Sequence, residues 1–152
     1  MAAKKKTAPK KSMKKLVKKT APKKASTKKS AKTSTKAAAP VGPYTPVVRA
    51  GDWVIVSGQL GLKDGVLQKG VAAQTAQAVV NLKARLAEAG CTIKDVKKTL
   101  CFLTDMDTFA TFNQAYVAGF GNSRPARSTI GVASLPFAGQ VEIEAWAYKP
   151  VR

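Results

Sequence analysis

The chain has 152 residues, with 27 Lys or Arg against 8 Asp or Glu, no His, and a formal net charge of +19. That length allows one domain with an appendage. Without histidine the usual zinc sites and Ser/His/Asp sets are excluded, and no phosphate loop or nucleophile elbow occurs, so most hydrolase and metalloenzyme classes fall away.

The charge is concentrated at the front. Residues 1–39 hold 15 lysines and no acidic residue, whereas the remaining 113 hold 12 basic against 8 acidic residues. TAPKK occurs twice, at Thr7 and Thr20, and the rest permutes Lys, Ala, Ser, Thr and Pro. A segment this poor in large apolar groups cannot offset its chain entropy, so residues 1–39 are expected to form a disordered basic tail. Lysine pairs at intervals suit nonspecific contact with a nucleic-acid backbone, by counterion release and without base readout. A solubilising or targeting extension, including an organelle transit peptide, is the competing reading. No apolar run approaches the ~20 residues of a membrane span, and no secretory signal opens the chain; a cytoplasmic protein is expected.

The domain is expected over residues 40–152. Three prolines between Pro40 and Pro46 make a linker, and GPY at 42–44 opens the fold. After a turn at Gly51-Asp52, DWVIVSGQL reads as a strand buried on both faces. It ends where Ser57-Gly58-Gln59 turns polar, and Gly58 leaves room for another group to approach the backbone. Lys63-Asp64-Gly65 is a turn. A first helix is predicted from about Val71 to Ala89, with Ala72, Ala76, Val79, Val80 and Leu86 on one face and Gly90 as its stop. VKKTLCFLTD is the next strand. A second helix, about Thr108 to Phe120, buries Phe109, Phe112, Tyr116 and Phe120. Strands at Ser128–Ala133 and Gln140–Tyr148 close the order β-β-α-β-α-β-β. That order gives a two-layer α+β fold with two helices on one face of a mixed sheet. Cys91 and Cys101 match no metal signature and read as buried thiols of a reducing, intracellular setting.

Few positions are left for chemistry. Alternation in QVEIEAWAY puts Val141, Ile143, Ala145 and Ala147 on one face and Glu142, Glu144, Trp146 and Tyr148 on the other. By spacing alone the second set is a solvated outer face. Arg127 alone reads as a surface charge, although its Pro125-Ala126 lead-in stiffens it and its fork matches a carboxylate.

GPY at 42–44, SGQ at 57–59, KTLCFLTDMDTFATFNQAY, RPARS at 124–128 and VEIEAWA together resemble the RidA (YjgF/UK114) family of imine and enamine deaminases. The resemblance covers essentially residues 40–152 and leaves out the tail. It implies a chorismate-mutase-like fold, a homotrimer with three clefts between adjacent subunits, and no metal or cofactor. The implied reaction is hydrolysis of 2-aminoacrylate and its 2-iminopropanoate tautomer to a 2-oxo acid and ammonia. Carried over by position, Arg127 holds the substrate carboxylate, and Glu142 positions water in place of the solvated role that spacing assigned it. Glu144 stays solvated. Tyr44, Ser57, Gly58 and Asn113 line the cleft, as do Ser128 and Thr129, the latter standing where the family most often has cysteine. A nucleic-acid-binding or ribonuclease-like member of the same family is the alternative reading.

On the tail reading, the full-length protein binds a labelled duplex without sequence preference, and its affinity falls steeply between about 50 and 200 mM salt. A chain starting at Pro40 loses that binding. Duplex binding that survives the deletion would place the polyanion surface on the domain.

Overall fold

The computed structural model describes Pro40 and residues 42–151. The lysine-rich segment 1–39, with its expected disorder and polyanion contact, lies outside them.

Five strands form one mixed sheet: β1 (Val47–Ala50), β2 (Trp53–Leu60), β5 (Val96–Leu103), β6 (Ala126–Gly131) and β7 (Val141–Tyr148), in the order β1-β2-β7-β5-β6. The pairs β1/β2, β2/β7 and β5/β7 are antiparallel, and β5/β6 is parallel. Two helices, α1 (Val71–Glu88) and α2 (Phe109–Phe120), pack together on one face. The two-layer α+β expectation holds. The turn at Lys63-Asp64-Gly65 is the tip of an unpredicted hairpin, β3 (Leu62–Lys63) with β4 (Val66–Leu67). Asp64 and Gly65 have φ of 51° and 79°, the left-handed pair that a two-residue hairpin turn requires.

The core lies between sheet and helices. Val141, Ile143, Ala145 and Ala147 of β7 are fully buried against Leu82 and Leu86 of α1 and Phe112 of α2, as the alternation predicted. The expectation of burial on both faces fails for β2. Val54 and Val56 are buried, but Trp53 and Ile55 are 44% and 38% exposed, because the helices cover only one face. The extent of β2 is as DWVIVSGQL predicts, with Ser57, Gly58 and Gln59 in its last part. The strand runs to Leu60 through a register shift between Val56 and Gln59 that absorbs Ser57 and Gly58.

The face assigned to α1 is also corrected. Its buried side is Val71, Thr75, Ala78, Val79, Leu82 and Leu86, while Ala72, Ala76 and Val80 are exposed. Alanine and valine at several phases left the stripe ambiguous; the large residues Leu82 and Leu86 fix it. Thr75 joins the buried side because its hydroxyl donates to the Val71 carbonyl at 2.7 Å.

The stop at Gly90 is as predicted. Its φ is 70°, its N–H donates to Ala87 O at 3.0 Å, and Cys91 N–H donates to Leu86 O at 2.8 Å, the paired bonds of a Schellman motif. Arg49 and Lys149 donate to Ala89 O and Gly90 O at 2.8 and 2.5 Å, setting two cations at the negative end of the helix. The strand predicted from Ser128 begins earlier, at Ala126, so Arg127 lies inside β6. Cys91 and Cys101 are free and buried, as expected. No helix among the described residues is long and apolar enough to cross a membrane.

Candidate active site

Arg127 is held from three sides. In β6 it is in register with Thr99 of β5, which is itself opposite Ala145 of β7; both of these are fully buried, so Arg127 faces the helices. There α2 presents residues spaced three and four apart. The Arg127 guanidinium lies 4.6 Å from the centre of the Tyr116 ring and 5.6 Å from those of Phe109 and Phe112. Arg127 Nη2 donates to Asn113 Oδ1 at 2.8 Å. Each ring contact at a partly buried cation is worth on the order of 0.5–2 kcal/mol, and together they fix the head group in one orientation. The Tyr116 and Thr99 hydroxyls lie 2.8 Å apart in a buried hydrogen bond. Burial pushes the Tyr116 phenol up to about 12, so it remains neutral beside the cation.

This cradle was missed in the sequence. The aromatic stripe on α2 reads as core, and Phe112, Tyr116 and Phe120 are indeed buried, but Phe109 is 36% exposed because its ring sits at the mouth beside Arg127. The available signal was an asparagine inside the stripe: Asn113 lies between Phe112 and Tyr116 on a face otherwise apolar.

Thr129 follows two places on, in register with Cys101 of β5. Its Oγ1 is buried, and the Cys101 thiol is its polar neighbour across the ladder. Burial raises the Cys101 thiol to about 11, so it stays protonated and unreactive behind the strand. Ser128 points the other way and accepts from Lys98 Nζ at 2.7 Å.

Glu142 lies on the open face of the sheet, in register with Leu60 and Phe102. Its carboxylate rests on the backbone of Gly58: a Cβ placed there would overlap Glu142 Oε1 and lie 2.6 Å from its Cδ. The close approach expected at Gly58 is therefore made by Glu142. Ser57 ties the lead-in segment to this point, its Oγ donating to Thr45 O at 2.9 Å and its N–H to Pro46 O at 3.0 Å. Tyr44, in that segment, is 44% exposed with its ring against Gly42. Burial, then the Glu144 charge, raises the Glu142 carboxyl above its ordinary 4.5. Burial likewise raises Glu144, which is partly buried where full solvation was expected. Among the described residues no three His, Cys, Asp or Glu side chains converge on one point.

The predicted residues thus fall into two groups. Arg127, Asn113 and Thr129 lie on the helix side of edge strand β6, and Glu142 with Gly58 on the opposite, open face, with β5 between their strands. Among the described residues, the two groups are on opposite sides of the sheet.

Residues 34–149 match the family described as Endoribonuclease L-PSP. The chain belongs to this family, the RidA/YjgF family. Among its RidA relatives is the 2-iminobutanoate/2-iminopropanoate deaminase of Escherichia coli, 41% identical over 118 residues that span 74% of this chain and 92% of that protein. A RutC family protein of Pyrococcus horikoshii is 41% identical over 116 residues, 74% of this chain and 92% of the relative. The crystal structure of RidA from an Antarctic Psychrobacter superposes with a TM-score of 0.72 at 42% identity, covering 74% of this chain and 94% of that one.

Because the Glu144 charge helps to raise Glu142, Glu144→Gln lowers the Glu142 titration midpoint in a carboxyl-carbon NMR pH titration. An unchanged midpoint would mean that burial alone sets it.

Proposed function

We propose that the chain hydrolyses small 2-imino acids and their enamine tautomers to 2-oxo acids and ammonia, in clefts formed between the copies of a homotrimer. The observation that carries this reading is the Arg127 guanidinium, fixed by Asn113 and three rings with no anion among those partners. Relatives about 40% identical, from Escherichia coli and from mouse, are named 2-iminobutanoate/2-iminopropanoate deaminase.

In this reading Arg127 pairs with the substrate carboxylate through two parallel N–H···O bonds, and the Thr129 backbone amide adds a donor beside it. Preorganisation by the α2 cradle reduces the entropy lost on binding. The imine carbon is already electrophilic, so the protein has to orient it and deliver water. Glu142, as a carboxylate, accepts a proton from that water as the oxygen bonds to the imine carbon. The same carboxyl returns that proton to nitrogen and then carries a second one there from the new hydroxyl, so the carbon–nitrogen bond breaks as the oxygen closes to the carbonyl, and ammonia leaves the 2-oxo acid. Water and protons are the only co-reactants. The raised pKa of Glu142 suits this exchange, because a weaker acid is a stronger base. Tyr44 and Ser57 line the cleft on the Glu142 side, and Thr129 sets the room available to the substrate side chain.

Two observations support assembly. The two groups of site residues lie on opposite faces of one sheet, so a second copy has to complete each cleft. The open face also carries Trp53, Ile55 and Tyr148 at 38–44% exposure, an apolar surface that a soluble chain is expected to cover. Residues 40–152 carry the chemistry, and the tail of residues 1–39 serves polyanion contact or localisation.

In a dehydratase-coupled assay of 2-aminoacrylate decay, Arg127→Ala loses roughly 2–4 kcal/mol of transition-state stabilisation. Arg127→Lys recovers little of it, because an ammonium lacks the fork. Glu142→Gln lowers kcat more than it raises KM. In the wild type kcat declines as pH falls through the Glu142 pKa, above the ordinary 4.5. Near-native rates for Arg127→Ala would overturn the mechanism.

A further inference from the structure

A concave surface lies where the chain enters β5 and β6, its lining reaching Ala126, one residue before Arg127. It is a cavity of about 270 Å³, bordered by Lys94, Lys97, Ser123 and Arg124 and floored by Val96 and Pro125. Three of these carry positive charge and none is acidic. Arg124 does not float: its Nη1 donates to the carbonyls of Gly121 and Ser123, which pins the guanidinium at the rim where α2 ends.

The neighbouring carboxylate, Asp95, feels the Lys97 charge but makes its bonds elsewhere. Asp95 lies between Lys94 and Val96 in sequence, but its Oδ2 accepts from the Thr92 N–H at 2.7 Å and from the Thr92 hydroxyl at 2.9 Å. It also lies 3.8 Å from Lys149 Nζ. Among the described residues, no carboxylate is within ion-pair distance of Lys94, Lys97 or Arg124. Three like charges around one cavity repel, and a bound anion removes that repulsion.

The lining also says which anion. A threaded nucleic acid calls for stacking platforms, and no aromatic side chain borders the cavity. Apolar Val96 and Pro125 beneath a ring of cations suit a compact anionic head on a small organic body. We propose that this cavity binds the phosphate group of a small phosphorylated ligand, held by Lys94, Lys97 and the pinned Arg124, with the Ser123 hydroxyl as a further donor.

The test is an NMR titration of the full-length, ¹⁵N-labelled chain with inorganic phosphate, then a nucleoside monophosphate, then a short DNA duplex, all at constant ionic strength. The expected result is saturable shifts at the Lys97, Ser123 and Arg124 amides with both small probes. The double variant Lys97→Gln/Arg124→Gln, both at exposed positions, then binds them at least about tenfold more weakly, the loss of one charge-assisted hydrogen bond or more. Lys94→Gln alone weakens binding in the same direction. The proposal is overturned by shifts confined to residues 1–39, by unchanged affinity in the double variant, or by a response at these amides to the duplex and not to phosphate.

Discussion

A β-strand sends successive side chains to opposite faces, and in this sheet that parity separates the two charged groups of the site. Arg127 shares the register of Thr99 and Ala145, which face the core, whereas Glu142 shares that of Phe102, which faces away. A one-residue slip in β6 would bring both to one face and would also turn Thr129 outward. The register is held by the parallel β5/β6 ladder and by Asn113 and Tyr116 of α2, which meet Arg127. From this constraint follows the open apolar face, and on the proposed reading it is also why a second copy completes the cleft.

On the helix side the main difficulty is keeping a guanidinium partly out of water. The α2 helix meets it with ring faces at Phe109, Phe112 and Tyr116, whose electron-rich π systems offset part of the desolvation cost, and with one carbonyl oxygen from Asn113. None of these partners is an anion. The arginine is therefore oriented by these partners without being neutralised by them, as the proposed carboxylate-binding role requires. On the open face the difficulty is reversed: Glu142 is half-buried beside Glu144, with glycine at position 58 giving the space it occupies. A carboxylate that is partly buried beside a second carboxylate is raised in pKa and is a better proton acceptor.

How much of this was legible in the sequence depended on whether neighbours were needed to read it. The alternation in β7, the Gly90 stop and the gap at Gly58 are local rules of chain geometry, and each reappears in the structure. The buried side of α1 and the two faces of β2 were misread, because an apolar residue records a preference for burial and not which layer will cover it. Trp53 and Ile55 are as apolar as Val54 and Val56, yet helices reach only the latter. The cradle around Arg127 was hidden for the converse reason. Its aromatic members are also core residues, and only Asn113, polar within the stripe, marked a second task.

The central claim is that the carboxylate-binding arginine and the water-positioning glutamate act in one cleft but come from different copies. Mixing the two inactive proteins Arg127→Ala and Glu142→Gln under conditions that exchange subunits tests it most directly. Random co-assembly leaves roughly one cleft in four with a native arginine from one copy and a native glutamate from its neighbour, so about a quarter of wild-type deaminase activity returns. If Arg127 and Glu142 of the same chain served one cleft, no mixed cleft would hold both, and the mixture would stay as inactive as its components.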